Sequence, residues 1–192
     1  MKASKRVDFI KNWIIDYIQS MPKKASALVV GVSGGIDSAV VSTISSMTGL
    51  KTFVLSMPIK QIKTQDDLSK LHCKWLVSNF KNVSYLNVDL DNVFSSFENA
   101  LGENNSEHAF ANSRARLRMT TLYQVAGSNN GIVVGTGNKV EDFGVGFYTK
   151  YGDGGVDISP IADCTKSQVW EMGEFLEIDH KIISAPPTDG LW

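Results

Sequence analysis

The sequence predicts an α/β fold, in which a doubly wound parallel sheet carries helices on both faces. Short runs rich in Val, Ile and Leu alternate with longer segments of helical periodicity along the 192 residues. The first run, ALVVGV, is apolar at consecutive positions, which is typical of a strand buried on both faces of a parallel sheet. A turn with two glycines, SGGIDS, joins this run directly to a helical segment. Strands and helices that alternate in this way predict right-handed crossovers.

The first helix is predicted from apolar residues that recur at spacings of three and four. These residues are Val7, Ile10, Ile14, Tyr17 and Met21. Pro22 ends the helix, and the predicted strand at 27–32 follows it. A second helix is predicted from Ile36 to about Met47, because apolar residues return to helical spacing there, and Gly49 stops it.

The same alternation continues along the next half of the chain. The predicted elements are a strand at 52–57, a helix at about 65–80, a strand at 84–88 and a helix at about 93–101. A long helix is predicted from Glu107 to about Ala126, because this stretch contains neither Gly nor Pro, and it leads into a strand at 131–135. The arrangement is Rossmann-like with strand order 3-2-1-4-5, and residues 1–192 form a single domain without internal repeats.

Composition narrows the classes of function. The chain has 19 basic and 20 acidic residues and a net charge of −1, so we expect no nucleic-acid partner held by a general cationic field. No run approaches about 18 uninterrupted apolar residues, so no membrane span is expected. The two cysteines, Cys73 and Cys164, are far apart and suggest neither a disulfide framework nor a thiolate metal site, which fits a reducing cytoplasm.

Charge is uneven between the two ends of the chain. Residues 1–24 carry six basic and two acidic side chains, whereas residues 141–192 carry ten acidic and three basic ones. Solvated faces account for most of this asymmetry, and self-association between oppositely charged ends is the alternative.

The turn from Ser33 to Ser38 has the features of an anion site. It lies where a buried strand meets a helix start, and there backbone N–H groups are unpaired and the helix dipole favours negative charge. Gly34 and Gly35 allow close approach of a phosphate, and the two serine hydroxyls can donate to it. The lysine and the spacing of a Walker loop are absent, as is the dinucleotide glycine pattern. A plain strand-to-helix connection is the alternative.

Asp37 makes this turn more specific. Its carboxylate would repel a phosphate unless a cation lay between them, and Mg²⁺ would meet that need. A second polar cluster, from Thr136 to Asp142, follows the strand at 131–135. If that strand lies beside the first, Asp37 and Glu141 can share a metal while Thr136 contacts a nucleotide. An acidic loop in water is the alternative.

Three more features carry candidate chemistry. On the long helix, Asn112 and Arg116 share one face, whereas Arg114 and Arg118 share the nearly opposite face; spacing does not say which pair meets a ligand. The glycine-rich stretch 149–157 follows an aromatic set, Phe143, Phe147 and Tyr148, that is either a platform for a flat ring or a core cluster under a turn.

Lys166 stands at the start of another predicted helix, whose Thr165 and Gln168 match a capping box. A cation at a helix N-terminus opposes the helix dipole. We therefore expect Lys166 to pair with an anionic ligand, and a solvated lysine is the alternative.

Six segments, GVSGGIDS, NSRARLRM, GTGNKVE, TKYGDGGVD, TKSQ and PPTDGLW, occur in an order and spacing that resemble the ammonia-dependent NAD synthetases. That family belongs to a wider group of ATP pyrophosphatases with an SGGxDS loop. The resemblance runs from Gly31 to Trp192 and implies a fold of the adenine nucleotide alpha hydrolase type. One spacing, from Glu141 to Lys150, is a residue longer than in the family.

The resemblance implies a ligase that forms NAD from deamido-NAD, ATP and ammonia through an adenylated carboxylate, with AMP and pyrophosphate released. It implies a homodimer, Mg²⁺ held by Asp37 and Glu141, and catalytic roles for Asp37 and Lys166. The implied ATP contacts are Gly31, Val32, Ser33, Gly34, Gly35, Ile36, Asp37, Ser38, Thr136, Lys166 and Thr188. The implied deamido-NAD contacts are Asn112, Arg116, Lys150 and Asp157, which selects one face of the long helix.

Free ammonia is the expected nitrogen donor, because the resemblance does not include the amino-terminal glutaminase domain of the larger relatives. The family continues past PPTDGLW with a segment that closes on the substrate. Two alternatives stay open on the residues alone: another adenylating enzyme with an SGGxDS loop, and an ATP-binding module without turnover.

Overall fold

Four parallel strands form the centre of the molecule. The structure is a computed structural model and describes residues 1–61 and 63–186. The strands are β1 (Ala27–Gly31), β2 (Lys51–Ser56), β3 (Val83–Asn87) and β4 (Gly131–Val134). The helices are α1 (Ala3–Ser20), α2 (Ile36–Met47), α3 (Lys63–Asn79), α4 (Asp91–Leu101), α5 (Glu107–Ser128), α6 (Lys166–Phe175) and α7 (His180–Ile183). A π-helical turn spans Lys139–Val145.

The strand order is β3-β2-β1-β4, which confirms the first four positions of the predicted order. Within the described residues no strand occupies the fifth position. Ile158 instead makes a single parallel bridge to Val134 beside β4. Because β1 pairs with both β2 and β4, the carboxyl ends of β1 and β4 lie side by side.

Burial on both faces explains the uninterrupted apolar run in β1. Leu28 and Val30 pack against α1, α2 and α6 on one face of the sheet. Val29 packs against α4 and α5 on the other face, together with Val133 of β4. Helices therefore cover both faces, as a doubly wound fold requires.

Helix α1 differs from its prediction at one position. Val7, Ile10 and Ile14 are buried as expected, but Ile18 and not Tyr17 continues the buried face. Tyr17 lies instead beside Trp13, with ring centroids 5.8 Å apart, on the solvent side of α1. In the described part of the chain, no helix combines the length and apolar character that a bilayer crossing requires.

Candidate functional site at the carboxyl edge of the sheet

The turn after β1 is held in shape by its own serines and by α3. Ser33 accepts a hydrogen bond from the Gly35 amide at 3.3 Å, and its own amide donates to the Ser38 hydroxyl at 3.1 Å. Gly34 has a φ of +92°, and a Cβ there would lie 2.5 Å from the carbonyl oxygen of Gln65. Glycine is therefore required by both the backbone conformation and the close approach of α3.

The first turn of α2 presents its backbone amides at this edge. Gly35 is the N-cap residue and makes no side-chain cap hydrogen bond. Ala39 is the first residue whose amide bonds back, to the Gly35 carbonyl at 3.1 Å. The amides of Ile36, Asp37 and Ser38 precede it, so they and the helix dipole are arranged to bind an anion.

Lys166 brings two carboxylates from distant parts of the chain together. Its Nζ donates a short hydrogen bond to Asp37 Oδ2 and a second one, of 2.9 Å, to Glu141 Oε1. The three residues come from the starts of α2, the π-helical turn and α6, which meet at the carboxyl ends of β1 and β4. The partners of Lys166 are thus two carboxylates of the chain itself, whereas its position at a helix N-terminus predicted an anionic ligand.

Burial and neighbouring charges together shift the pKa values of the ionisable side chains in this site. Burial raises the pKa of Asp37 above its ordinary value, although its hydrogen bond to Lys166 opposes this shift. Burial opposes the charged form of Lys166, but the bonds to Asp37 and Glu141 raise the Lys166 pKa overall. Asp142 lies next to these groups, and burial together with the charge of nearby carboxylates raises its pKa to about 6. The site thus contains more negative charge than Lys166 neutralises.

Asn138 is a site residue that the sequence reasoning missed. It is fully buried, and its side-chain amide donates to Asp37 Oδ1 at 3.0 Å. Its Oδ1 accepts from the amides of Val140 and Glu141 at 3.0 and 3.1 Å, so it caps the π-helical turn. Asn138 lies inside the predicted polar cluster at 136–142, and the preference of Asn for cap positions was the signal that could have assigned it this role. Asn138 fixes Asp37 relative to Glu141.

Helix α5 uses its two faces differently, as its spacing predicted. Asn112 Oδ1 accepts from the Thr149 hydroxyl at 2.8 Å, and Arg116 Nε donates to the Lys150 carbonyl at 3.0 Å. These contacts join one face of α5 to the glycine-rich stretch. On the other face, Arg118 Nε donates at 3.0 Å to the Met57 carbonyl, just beyond β2.

The remaining predicted ligand residues lie in three different settings. Asp157 accepts from the Val133 amide at 2.7 Å and from the Tyr123 hydroxyl at 3.2 Å, so it ties the glycine-rich stretch to β4 and α5. The Lys150 ammonium lies 5.1 Å from the centre of the Tyr151 ring. Thr136 is half-buried in the turn after β4. Thr188 lies outside the described residues.

The aromatic residues before the glycine-rich stretch form no core cluster. Phe143, Phe147 and Tyr148 are all exposed. A shallow cavity of about 490 Å³ lies beside this stretch and is lined by Met119, Thr120, Tyr123, Gln124, Tyr151 and Gly155. The surface between α5 and the glycine-rich stretch is therefore open and partly aromatic.

The donor set suits Mg²⁺ better than a transition metal. Among residues 1–61 and 63–186, no group of three or more His, Cys, Asp or Glu is arranged to hold a metal ion. Two carboxylates, of Asp37 and Glu141, nevertheless converge on one ammonium group. Mg²⁺ is commonly bound by one or two carboxylates together with substrate phosphates, and this arrangement fits it.

The fold and the site together define a doubly wound α/β protein whose anion site lies at the carboxyl edge of its sheet, where Lys166 joins two carboxylates. A family model described as NAD synthase matches residues 6–192. The chain belongs to the NAD synthase family.

Individual relatives agree with this assignment. The chain is 38% identical to the NH(3)-dependent NAD(+) synthetase of Carboxydothermus hydrogenoformans, over 97% of this chain and 76% of that protein. Its structure resembles that of an NMN synthetase from Francisella tularensis, with a TM-score of 0.91 and 33% identity, over 100% of this chain and 78% of that one. It also resembles an NH3-dependent NAD synthetase from Campylobacter jejuni, with a TM-score of 0.84 and 29% identity, over 95% and 77%.

Proposed function

We propose that the protein is a ligase that forms NAD from deamido-NAD, ATP and ammonia and releases AMP and pyrophosphate. The observation that carries the proposal is the position of Lys166 between Asp37 and Glu141, next to the free amides at the start of α2. We infer that the phosphates of ATP and an attacking carboxylate are held together here, where the Lys166 ammonium and the α2 amides supply positive charge.

The chemistry requires charge neutralisation more than a protein nucleophile. The carboxylate of the nicotinate ring attacks the α-phosphorus of ATP, and the bond to pyrophosphate breaks. Ammonia then attacks the carbonyl carbon of the acyl adenylate, loses a proton, and expels AMP. We propose that Lys166 and the α2 amides stabilise the charge that develops on the phosphates.

The proposed ATP site extends from Gly31 to Ser38 and includes Thr136, Lys166 and Thr188. Asp37 and Glu141 would hold Mg²⁺, which would supply positive charge to the phosphates when bound. Support comes from the convergence of the two carboxylates, since Asn138 holds Asp37 by a 3.0 Å hydrogen bond and the amide of Glu141 by one of 3.1 Å.

We place the deamido-NAD site between α5 and the glycine-rich stretch, at Asn112, Arg116, Lys150 and Asp157. The hydrogen bonds from Thr149 to Asn112 and from Arg116 to Lys150 support this placement, because they hold the two walls of the open surface together. A homodimer with this surface near its interface, in the cytoplasm, completes the proposal.

A second substrate has specific support. The Francisella tularensis protein that shares the fold with a TM-score of 0.91 is an NMN synthetase. Amide formation on nicotinate mononucleotide uses the same adenylation and the same nitrogen donor, and it differs only in lacking the adenylate half of the pyridine substrate. The two candidates are separated by which pyridine nucleotide is consumed.

The test mixes the protein with Mg-ATP, ammonium chloride and either deamido-NAD or nicotinate mononucleotide, and follows AMP and the amide product by chromatography. We expect equal amounts of NAD and AMP with deamido-NAD, a rate at least about tenfold lower with nicotinate mononucleotide, and no product when Mg²⁺ is omitted. Glutamine in place of ammonium should give no amide.

The other possible results of this test each indicate a different function. Faster turnover of nicotinate mononucleotide would assign the second substrate. AMP without either amide would indicate another adenylating enzyme, and ATP binding without AMP would indicate a binding module.

A further inference from the structure

Gln61 and helix α3 contact the anion-binding turn that leads into α2. The Gln61 side chain donates to the Ser33 carbonyl at 3.2 Å. Backbone atoms of Gln65 and Ser69 would lie 2.5 and 3.1 Å from a Cβ on Gly34. The turn is therefore held between two helices, of which α2 supplies the amides and α3 supplies a support.

Ser69 makes the most buried of these contacts. The residue is 2% exposed, and its hydroxyl donates a hydrogen bond of 2.6 Å to the Val32 carbonyl. Neither residue is charged. The contact joins the middle of α3 to the residue that precedes the turn.

The Val32 carbonyl lies at the point where the chain leaves β1, and it accepts its hydrogen bond from Ser69. The pairing of β1 with β2 ends at Gly31 opposite Leu55, and the Val32 amide still donates to the Leu55 carbonyl at 2.8 Å. Val32 thus stands where the chain leaves the sheet. A buried carbonyl at such a point is costly if it is unpaired, and the Ser69 hydroxyl pairs with it.

We infer that Ser69 is a positioning residue for ATP binding, which it serves by fixing Val32 and, through the close packing of α3, the left-handed Gly34. It touches no ligand itself. The inference rests on the proposed function, because it takes the phosphates of ATP as the anion that the turn binds. Without the hydroxyl, the turn loses its anchor at Val32, and the amides at the start of α2 no longer converge on the phosphates.

The test measures the dissociation constant of Mg-ATP by titration calorimetry and the KM and kcat of the amide-forming reaction. We expect Ser69→Ala to weaken Mg-ATP binding about tenfold and to raise the KM for ATP by a similar factor. Turnover at saturating ATP should stay within about twofold of the wild type, as should the KM for the pyridine substrate. Ser46→Ala is the matched control, because Ser46 is equally buried and its hydroxyl donates to the Ser42 carbonyl at 2.7 Å within α2.

A merely structural role for Ser69 would lower the unfolding midpoint as Ser46→Ala does and leave ATP affinity unchanged; that result would overturn the inference. If Ser69→Ala does not fold, Gln61→Ala tests the same support of the turn, with an expected loss of ATP affinity of about threefold against none for Asn79→Ala, whose side chain donates to the Trp75 carbonyl of its own helix. ATP binding that responds in this way in a protein without amide-forming activity would contradict the proposed reaction and support this inference.

Discussion

Lys166 is unfavourable for the stability of its own helix, and its contacts with residues from other parts of the chain explain its presence there. A cation in the first turn of α6 opposes the dipole of that helix. The side chain instead meets Asp37 and Glu141, and burial strengthens the contact with Asp37, whose side chain is 15% exposed. The position of Lys166 is therefore explained by its contacts in the site and not by the stability of α6.

At Gly34 the structure predicts a large cost for any side chain. A Cβ would combine the strain of a φ of +92° with overlap against the Gln65 carbonyl, whereas at Gly49, with a φ of +77°, it would meet nothing within 4 Å. Gly49→Ala should therefore lose about 1–2 kcal/mol of unfolding free energy from strain alone. Gly34→Ala should lose about 1–3 kcal/mol more than that and should also abolish Mg-ATP binding.

Urea unfolding and calorimetry on the two variants check this prediction, and Gly49→Ala serves as the control for backbone strain. Equal stability losses in the two variants, or wild-type ATP affinity in Gly34→Ala, would contradict the close packing of α3 on the turn.

Among the secondary-structure elements, the π-helical turn bears on the spacing between Glu141 and Lys150. From the resemblance to the ammonia-dependent NAD synthetases we expect the spacing from Glu141 to Lys150 to be one residue longer than in that family. The Gly146 amide bonds to the Glu141 carbonyl, five residues back, and such a turn takes in one residue more than an α-helical turn. The π-helical turn is thus a place where one more residue fits after Glu141, whose carboxylate contacts Lys166.

The interface between α2 and α3 contains a titratable group that should make stability depend on pH. His72 is 2% exposed, and its Nε2 lies 3.1 Å from the Ser42 hydroxyl and 3.2 Å from the Ala39 carbonyl. Burial lowers the pKa of His72 from 6.5 to about 4. The folded state thus binds the His72 proton less tightly than the unfolded state does, so this stabilisation is complete above pH 6.5 and is lost as pH falls toward 4.

The lowered pKa of His72 also sets the expected size of the change in unfolding free energy with pH. Between pH 8 and pH 5.5, the unfolding free energy should fall by about 1.4 kcal/mol on account of His72. Urea denaturation at the two pH values measures it, with His72→Gln as the variant that lacks the titrating group and the exposed His108→Gln as the control. A pH dependence that is the same in His72→Gln as in the wild type would show that another group is responsible.

Periodicity predicted the helices and strands because each depends on neighbours within one segment. Apolar runs and helical spacing located β1 and α2, and the absence of Gly and Pro located α5, within a few residues of their observed bounds. The contacts of the site, in contrast, join residues that are far apart in the sequence. Asn138 and Lys166 reach Asp37 across 101 and 129 positions of sequence. No local pattern reports such a contact, so the site residues came from loop chemistry and resemblance, and the roles of Asn138 and Ser69 required the packed structure.

At the scale of the whole molecule, the charge asymmetry between the chain ends is partly compensated inside one chain. Helix α1 packs against α6, and Arg6 Nη1 lies 3.1 Å from Glu171 Oε2. The basic amino-terminal helix therefore meets the acidic carboxyl-terminal part of the same molecule. The asymmetry consequently gives little support to association between oppositely charged ends of two copies.

The proposed dimer finds better support in the exposed apolar side chains of residues 143–151, since exposed apolar surface commonly marks an interface. Tyr151 is 71% exposed, and the segment lies against α5, where Gly152 approaches Ala115. We expect sedimentation velocity to give twice the chain mass of 21.0 kDa. Tyr151→Asp should weaken dimerisation at least about tenfold, because it places a charge in the interface while Asp tolerates the positive φ of this position.

Phe9→Asp is the matched control for that measurement. Phe9 is 62% exposed, also aromatic, and lies on α1, which covers the opposite face of the sheet from α5. Dimerisation should be unchanged in Phe9→Asp. If Phe9→Asp yields monomers and Tyr151→Asp does not, two copies meet through α1, and the proposed pyridine nucleotide site is then formed within a single chain.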